Sequence, residues 1–143
     1  MKKFVLILLA AIAMTACDFE TSGNGDLDGF WQLRQLDTLS TQQTADMRQS
    51  GIYWCVQHKL LELFDVNSVR SNIFFRFEKT PTQLRLYEPI CDNRQISDSI
   101  ITTTETLLPY GIQHLEEKLL IESFSADEMV LKNEKFRFHF RKY

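Results

Sequence analysis

Near its C-terminus the chain reads Phe136-Arg137-Phe138-His139-Phe140-Arg141, three aromatic residues in strict alternation with three basic ones. Successive side chains of a strand point to opposite faces. This segment therefore carries one aromatic face and one charged face, a sorting that a helical period of 3.6 would destroy. A strand with a wholly aromatic face must bury it against other strands. The residues just before supply them: Glu128 to Leu131 reads as a short strand, and Lys132-Asn133-Glu134-Lys135 as a hairpin turn with Asn133 providing turn chemistry. Lys118 to Phe124 reads as another strand, closed by Ser125-Ala126-Asp127. The last third of the chain is thus expected to be a three-stranded antiparallel ribbon.

The middle continues the pattern. Ile52 to Phe64 carries Ile52, Trp54, Val56, Leu60 and Phe64 on one parity, with Tyr53, Cys55, Leu61 and Leu63 on the other, and is read as one long bent strand. A helix over Lys59 to Phe64 is the alternative. Asn72 to Glu78 reads as a strand, paired across Lys79-Thr80-Pro81-Thr82 with Gln83 to Tyr87 and stopped by Pro89. Two helical pieces are expected. Thr41 to Arg48 follows Ser40 as N-cap and precedes Gly51, and Glu105 to Leu108 has Thr102 and Glu105 at capping-box spacing and ends at Pro109-Tyr110-Gly111. Leu107 and Leu108 would cover one end of a sheet. Seven or eight strands in meander order can hide an aromatic face as a sandwich or a barrel. Closure also removes unpaired edges, and at this length an up-and-down antiparallel β-barrel of about eight strands is the economical solution.

The N-terminus is of a different kind. Lys2 and Lys3 precede an apolar run from Phe4 to Met14, and Met14-Thr15-Ala16-Cys17 follows. The run is too short for a bilayer core, which needs about twenty residues, and has the grammar of a secretory signal. Residues 1–16 are read as the signal, with a helix near 3–14, residues 17–26 as a lipidated flexible acidic tether, and residues 27–143 as the barrel domain. Met14-Thr15-Ala16-Cys17 resembles the lipobox of bacterial lipoproteins, although the position three before the cysteine is usually leucine. That resemblance implies that Cys17 becomes the acylated N-terminus of an envelope lipoprotein held at the outer membrane.

Loss of Lys2 and Lys3 with the signal would take the net charge from −3 to −5. A mildly acidic body lacks the concentrated basic surface that nucleic acid requires. Setting Cys17 aside leaves Cys55 and Cys91. An even remainder in an oxidising compartment permits a single disulfide, and two separate buried thiols are the other reading.

The first body strand opens Leu27-Asp28-Gly29-Phe30-Trp31-Gln32-Leu33. Gly-x-Trp at the head of such a barrel resembles the opening motif of lipocalins. With the lipobox, Ile52-Tyr53-Trp54, Pro109-Tyr110-Gly111 and the ending Phe136 to Tyr143, the chain is similar to small lipocalin-like lipoproteins of Bacteroidetes, mostly uncharacterised. The resemblance implies that Trp31 floors the closed end, partnered by Arg137 or Arg141, and that the barrel holds a cavity for a small apolar molecule. Alternation departs from this, because it places both arginines on the face opposite the phenylalanines.

No catalytic or metal pattern is present. His58, His114 and His139 are far apart, with no HxH or HExxH spacing; Glu116 and Glu117 are neighbours that face opposite ways in a strand. There is no Gly-x-Ser-x-Gly elbow, no phosphate loop and no CxxC. The expectation is a monomeric, non-catalytic protein needing neither metal nor cofactor. Trp31, Trp54, Phe75, Phe77, Phe136, Phe138 and Phe140 are its one functional set of substance, either a plain core or the wall of an apolar cavity. The partners expected are the membrane through the lipid, and either a small apolar ligand or an envelope protein.

Overall fold

Alternating burial along nearly every long segment sets the architecture of the computed structural model, which describes residues 22–92 and 99–143. Ten strands follow a one-turn 3-10 helix at Gly25–Leu27: β1 (Gly29–Thr38), β2 (Gln43–Asp46), β3 (Ile52–Gln57), β4 (Leu60–Asp65), β5 (Ile73–Lys79), β6 (Gln83–Cys91), β7 (Ser99–Ile100), β8 (Glu117–Phe124), β9 (Glu128–Lys132) and β10 (Phe136–Lys142). All pairings are antiparallel, in the order β10-β9-β8-β6-β5-β4-β3-β1. Pairing of β10 with β1, from Trp31 opposite Lys142 to Thr38 opposite Phe136, closes eight strands into the expected barrel. The short strands β2 and β7 lie outside this ring, on the upper parts of β1 and β6. One end, the foot, holds Trp31 and the β3–β4 turn; the other, the mouth, holds Thr38, Asp65, Cys91 and Glu117.

Several expectations need correction. The long strand over Ile52 to Phe64 is a hairpin: β3 and β4 meet in a tight turn at His58 and Lys59, where His58 has φ of 54°. The switch of buried parity from Trp54 and Val56 to Leu61 and Leu63 is the mark of that reversal. Thr41 to Arg48 is not helical. Its side chains offer no apolar stripe to bury, Gln42 takes φ of 56°, and Gln43–Asp46 pairs instead with the upper half of β1, which β3 leaves free. Glu105 to Leu108 forms only a turn on the Thr104 carbonyl, and the 3-10 helix lies at Leu108–Tyr110 with Pro109 inside it. Pro89 does not end β6. It sits beside Glu88 (φ of 52°) in a bulge that shifts the register with β5 between Phe74 and Arg76, where its missing N–H leaves no ladder bond broken.

Cys55 and Cys91 are both free thiols. Cys55 pairs with Glu62, Glu62 with Phe74, and Phe74 with Ile90, the neighbour of Cys91. The two cysteines are thus three strand spacings apart, about 14 Å, beyond the ~7 Å that a disulfide spans. They also face opposite sides, since Cys91 is opposite the buried Ile73 whereas Cys55 alternates with the buried Trp54 and Val56. Burial, and secondly the charge of Glu62, push the Cys55 thiol up to about 12, so it stays protonated and unreactive. Alkylation without reductant should therefore label both cysteines once the chain is unfolded and label Cys55 slowly in the native protein. Mass mapping that joins Cys55 to Cys91 would contradict this topology.

The signal, its helix near 3–14, Cys17 and the rest of the tether through residue 21 lie outside the described residues. Residues 22–26 do not trail away from the barrel. Ser22 donates to the Asp28 carboxylate, and Asn24 Nδ2 donates to Asp28 Oδ1 at 2.7 Å and to the His58 carbonyl at 2.6 Å.

Candidate functional site

Gly29 opens β1 with φ of 123°, a conformation that favours glycine, and the Lys142 side chain packs across it at 3.5 Å from where a Cβ would sit. Two residues on, Trp31 turns inward and is fully buried. Its Nε1 donates to the Leu27 carbonyl at 2.7 Å, which ties the 3-10 turn across the foot. Phe124 lies 6.0 Å from the Trp31 ring, and the Lys142 ammonium stands 4.8 Å over it while donating to the Asp26 carbonyl. The basic partner of the floor tryptophan is thus Lys142, not Arg137 or Arg141. Arg137 points outward to Glu122, and Arg141 is exposed. Lys142 shares the parity of Phe136, Phe138 and Phe140, so extending the alternation by one step is the signal that would have identified it.

Above the floor the interior is filled by side chains. Trp54, directly opposite Trp31, has Phe140 at 4.8 Å and Phe138 at 5.6 Å, and Phe138 stacks parallel to Phe140 at 6.2 Å. Phe75 is fully buried in the same cluster, with Phe77 and Phe136 packed at its margins. All seven aromatic residues singled out in the sequence therefore meet in one core. One polar atom within it lacks a partner among the described residues, the buried Nε1 of Trp54. Trp54→Phe should then cost about 1–3 kcal/mol less than Trp31→Phe, because only the latter leaves a buried carbonyl, that of Leu27, unpaired. Chemical denaturation of the two variants measures the difference.

The mouth, the end opposite the Trp31 floor, is covered by the chain between β7 and β8. Leu107, Tyr110 and Ile112 are buried in the core, and Leu108 is exposed. Three buried polar residues hold this plug and the loop beside it. Glu117 accepts from the backbone N–H groups of Gln113 and His114, each at 2.8 Å. Asn133 Nδ2 donates to the Gly111 carbonyl at 2.9 Å, while its Oδ1 accepts from the N–H groups of Lys135 and Phe136. Asp65 accepts from the N–H groups of Asn67 and Arg70 and from the Arg70 guanidinium at 3.2 Å, fixing the loop that receives the plug. Tyr110 donates to the Ser71 carbonyl at 2.9 Å; burial, and then the charge of Asp65, push its hydroxyl pKa up and keep it a donor. These anchors escape sequence reasoning, because an inward glutamate or aspartate looks like any surface carboxylate until the backbone it caps is known.

Clefts of about 780 Å³ and about 450 Å³ open on the surface, the first reaching Val56 at the edge of the core. The first, at the foot, involves Gly29, Phe30, Cys55 and His58; the second, on β6 and β7, involves Tyr87, Ile90 and Ile100. Neither touches Trp31, Trp54, Phe75 or Phe138. His139 lies on the outer face with its Nε2 2.7 Å from Asp37, and His114 lies 2.7 Å from Glu134. Burial works against the Asp37 carboxylate, but hydrogen bonds from His139, Gln35 and Thr44 outweigh it and hold its pKa below the ordinary value. No three metal-ligating side chains gather among the described residues.

A closed eight-stranded antiparallel barrel with a Gly-x-Trp floor and a basic residue laid over the indole defines the lipocalin-like class. The sequence pattern of the lipocalin-like domain matches residues 12–143, and the chain belongs to that family. A lipocalin-like protein from Bacteroides uniformis has a similar structure, with a TM-score of 0.62 at 16% identity over 83% of this chain and 100% of its own. An uncharacterized protein from Bacteroides eggerthii aligns with a TM-score of 0.49 at 15% identity, over 81% of this chain and 98% of its own. None of the curated proteins compared matches the sequence.

Proposed function

We propose that this protein is a lipid-anchored, non-catalytic module of the bacterial envelope, whose barrel is a rigid body for contacts with other envelope components rather than a container. The observation that carries this reading is the plugged mouth. Leu107, Tyr110 and Ile112 occupy the entrance, their segment is held by Glu117 and Asn133, and Trp54, Phe75 and Phe138 fill the space beneath. A ligand pocket needs concave space with a few converging polar groups, and here that space holds side chains. The anchor is Cys17, on the strength of the signal-like segment that precedes it.

One observation favours a second reading, carriage of a small apolar molecule. The unpartnered Nε1–H of Trp54 is a polar handle within the apolar core, and a molecule that displaced the plug could accept from it. Native mass spectrometry of the protein released from its own envelope decides between the two. The adaptor reading expects the lipidated chain with no small molecule retained in the barrel. A stoichiometric apolar molecule bound beyond the covalent lipid would overturn it in favour of the carrier.

A further inference from the structure

The foot presents three large apolar side chains to solvent. Phe30 of β1 is 57% exposed, Leu60 of β4 45%, and the terminal Tyr143 89%. They belong to one outward surface. Phe30 is directly opposite Cys55, whose strand pairs Gln57 with Leu60, and the Tyr143 N–H bonds to the Phe30 carbonyl while its ring meets Tyr53 edge-on at 6.0 Å. Exposed apolar residues gathered in this way mark a contact surface.

Chain geometry says what it contacts. Ser22 is bonded to Asp28 at the foot, and Asn24 to the turn between β3 and β4. From Cys17 to Ser22 the chain spans at most about 18 Å. The ten residues of β1 run about 30 Å along the strand, and about 23 Å along the barrel axis at a tilt of about 40°. A lipid on Cys17 can therefore bring the foot to a bilayer, and cannot bring the mouth there.

Building on the anchor argued above, we propose that the foot is a membrane-apposed face, with Phe30, Leu60 and Tyr143 seated at the headgroup level of the bilayer that holds the Cys17 lipid. Aromatic side chains with a polar tip, such as Tyr143, are at home at that depth. The plugged mouth, with Val66, Val69 and Leu108 exposed, then faces away from the membrane.

The test uses the full lipidated protein in nanodiscs of phosphatidylethanolamine and phosphatidylglycerol doped with a gadolinium-chelating lipid. Paramagnetic relaxation at the amides of Phe30, Leu60 and Tyr143 should exceed that at Val69 and Leu108 severalfold, and Cys17→Ala protein should elute free of the discs. Co-elution of the lipidated protein with a reversed or uniform gradient would overturn the face and leave the anchor standing. Failure of the lipidated protein to co-elute would overturn both.

Discussion

Trp31→Ala is expected to lower the stability of the barrel by about 3–5 kcal/mol, the range for removing a fully buried aromatic side chain. Four elements converge on this indole. It lies opposite Trp54 on β3, beside Phe124 at the end of β8 and beneath Lys142 of β10, and it holds the 3-10 turn through Leu27. Truncation opens a cavity at the foot and leaves the Leu27 carbonyl unpaired in a buried site, which adds a desolvation cost to the lost packing. The loss should appear as a shift in the urea midpoint with little change in slope. Hydrogen exchange should also accelerate in residues 22–28, which this bond helps hold to the barrel together with those from Asn24 to the His58 carbonyl and from Lys142 to the Asp26 carbonyl. A loss below about 1 kcal/mol would mean that the floor of the barrel is not built around Trp31.

The second large effect concerns the plug. Leu107 and Ile112 are fully buried at the mouth, and each truncation to alanine should cost about 2–5 kcal/mol. The two residues belong to one buried cluster and are joined by a backbone hydrogen bond, so the double variant need not lose the sum. The cavity left behind would be walled by apolar groups, and such cavities stay dry and accept apolar molecules. Ile112→Ala, and Leu107→Ala with Ile112→Ala where that protein folds, should thus gain saturable binding of a small apolar fluorescent probe. Native protein that binds the probe as strongly as the variants would show that the plug does not occlude the barrel.

Much of the fold was legible because a strand records its inward face every second residue. Phe136, Phe138 and Phe140 announce both the strand and its buried side, and β10 carries Phe138 and Phe140 into the core with Phe136 at its margin. The same rule would have identified Lys142, and read through the parity switch after Val56 it would have located the hairpin at His58. The plug was only partly legible. The Leu107-Leu108 pair marks a cover for one end, but one of the two is buried and the other exposed, and the seat of the plug also needs Gly111. Its φ of 82° and its approach to within 2.8 Å of Phe138, measured from a Cβ position, leave no room for a side chain. Thr41 to Arg48 was misread because weak local propensity yields to a free strand edge, here the upper half of β1. The filled interior could not be read from composition, since aromatic residues line cavities and fill cores alike.

Titration of the full chain with a fluorescent fatty acid, followed by tryptophan emission, tests most directly whether side chains fill the native barrel. Both tryptophans lie in the interior, with the unpaired Trp54 Nε1 among the aromatic rings. No saturable change in their emission is expected. One-to-one quenching that saturates, and that Trp54→Phe weakens, would contradict a filled interior and identify the barrel as a container.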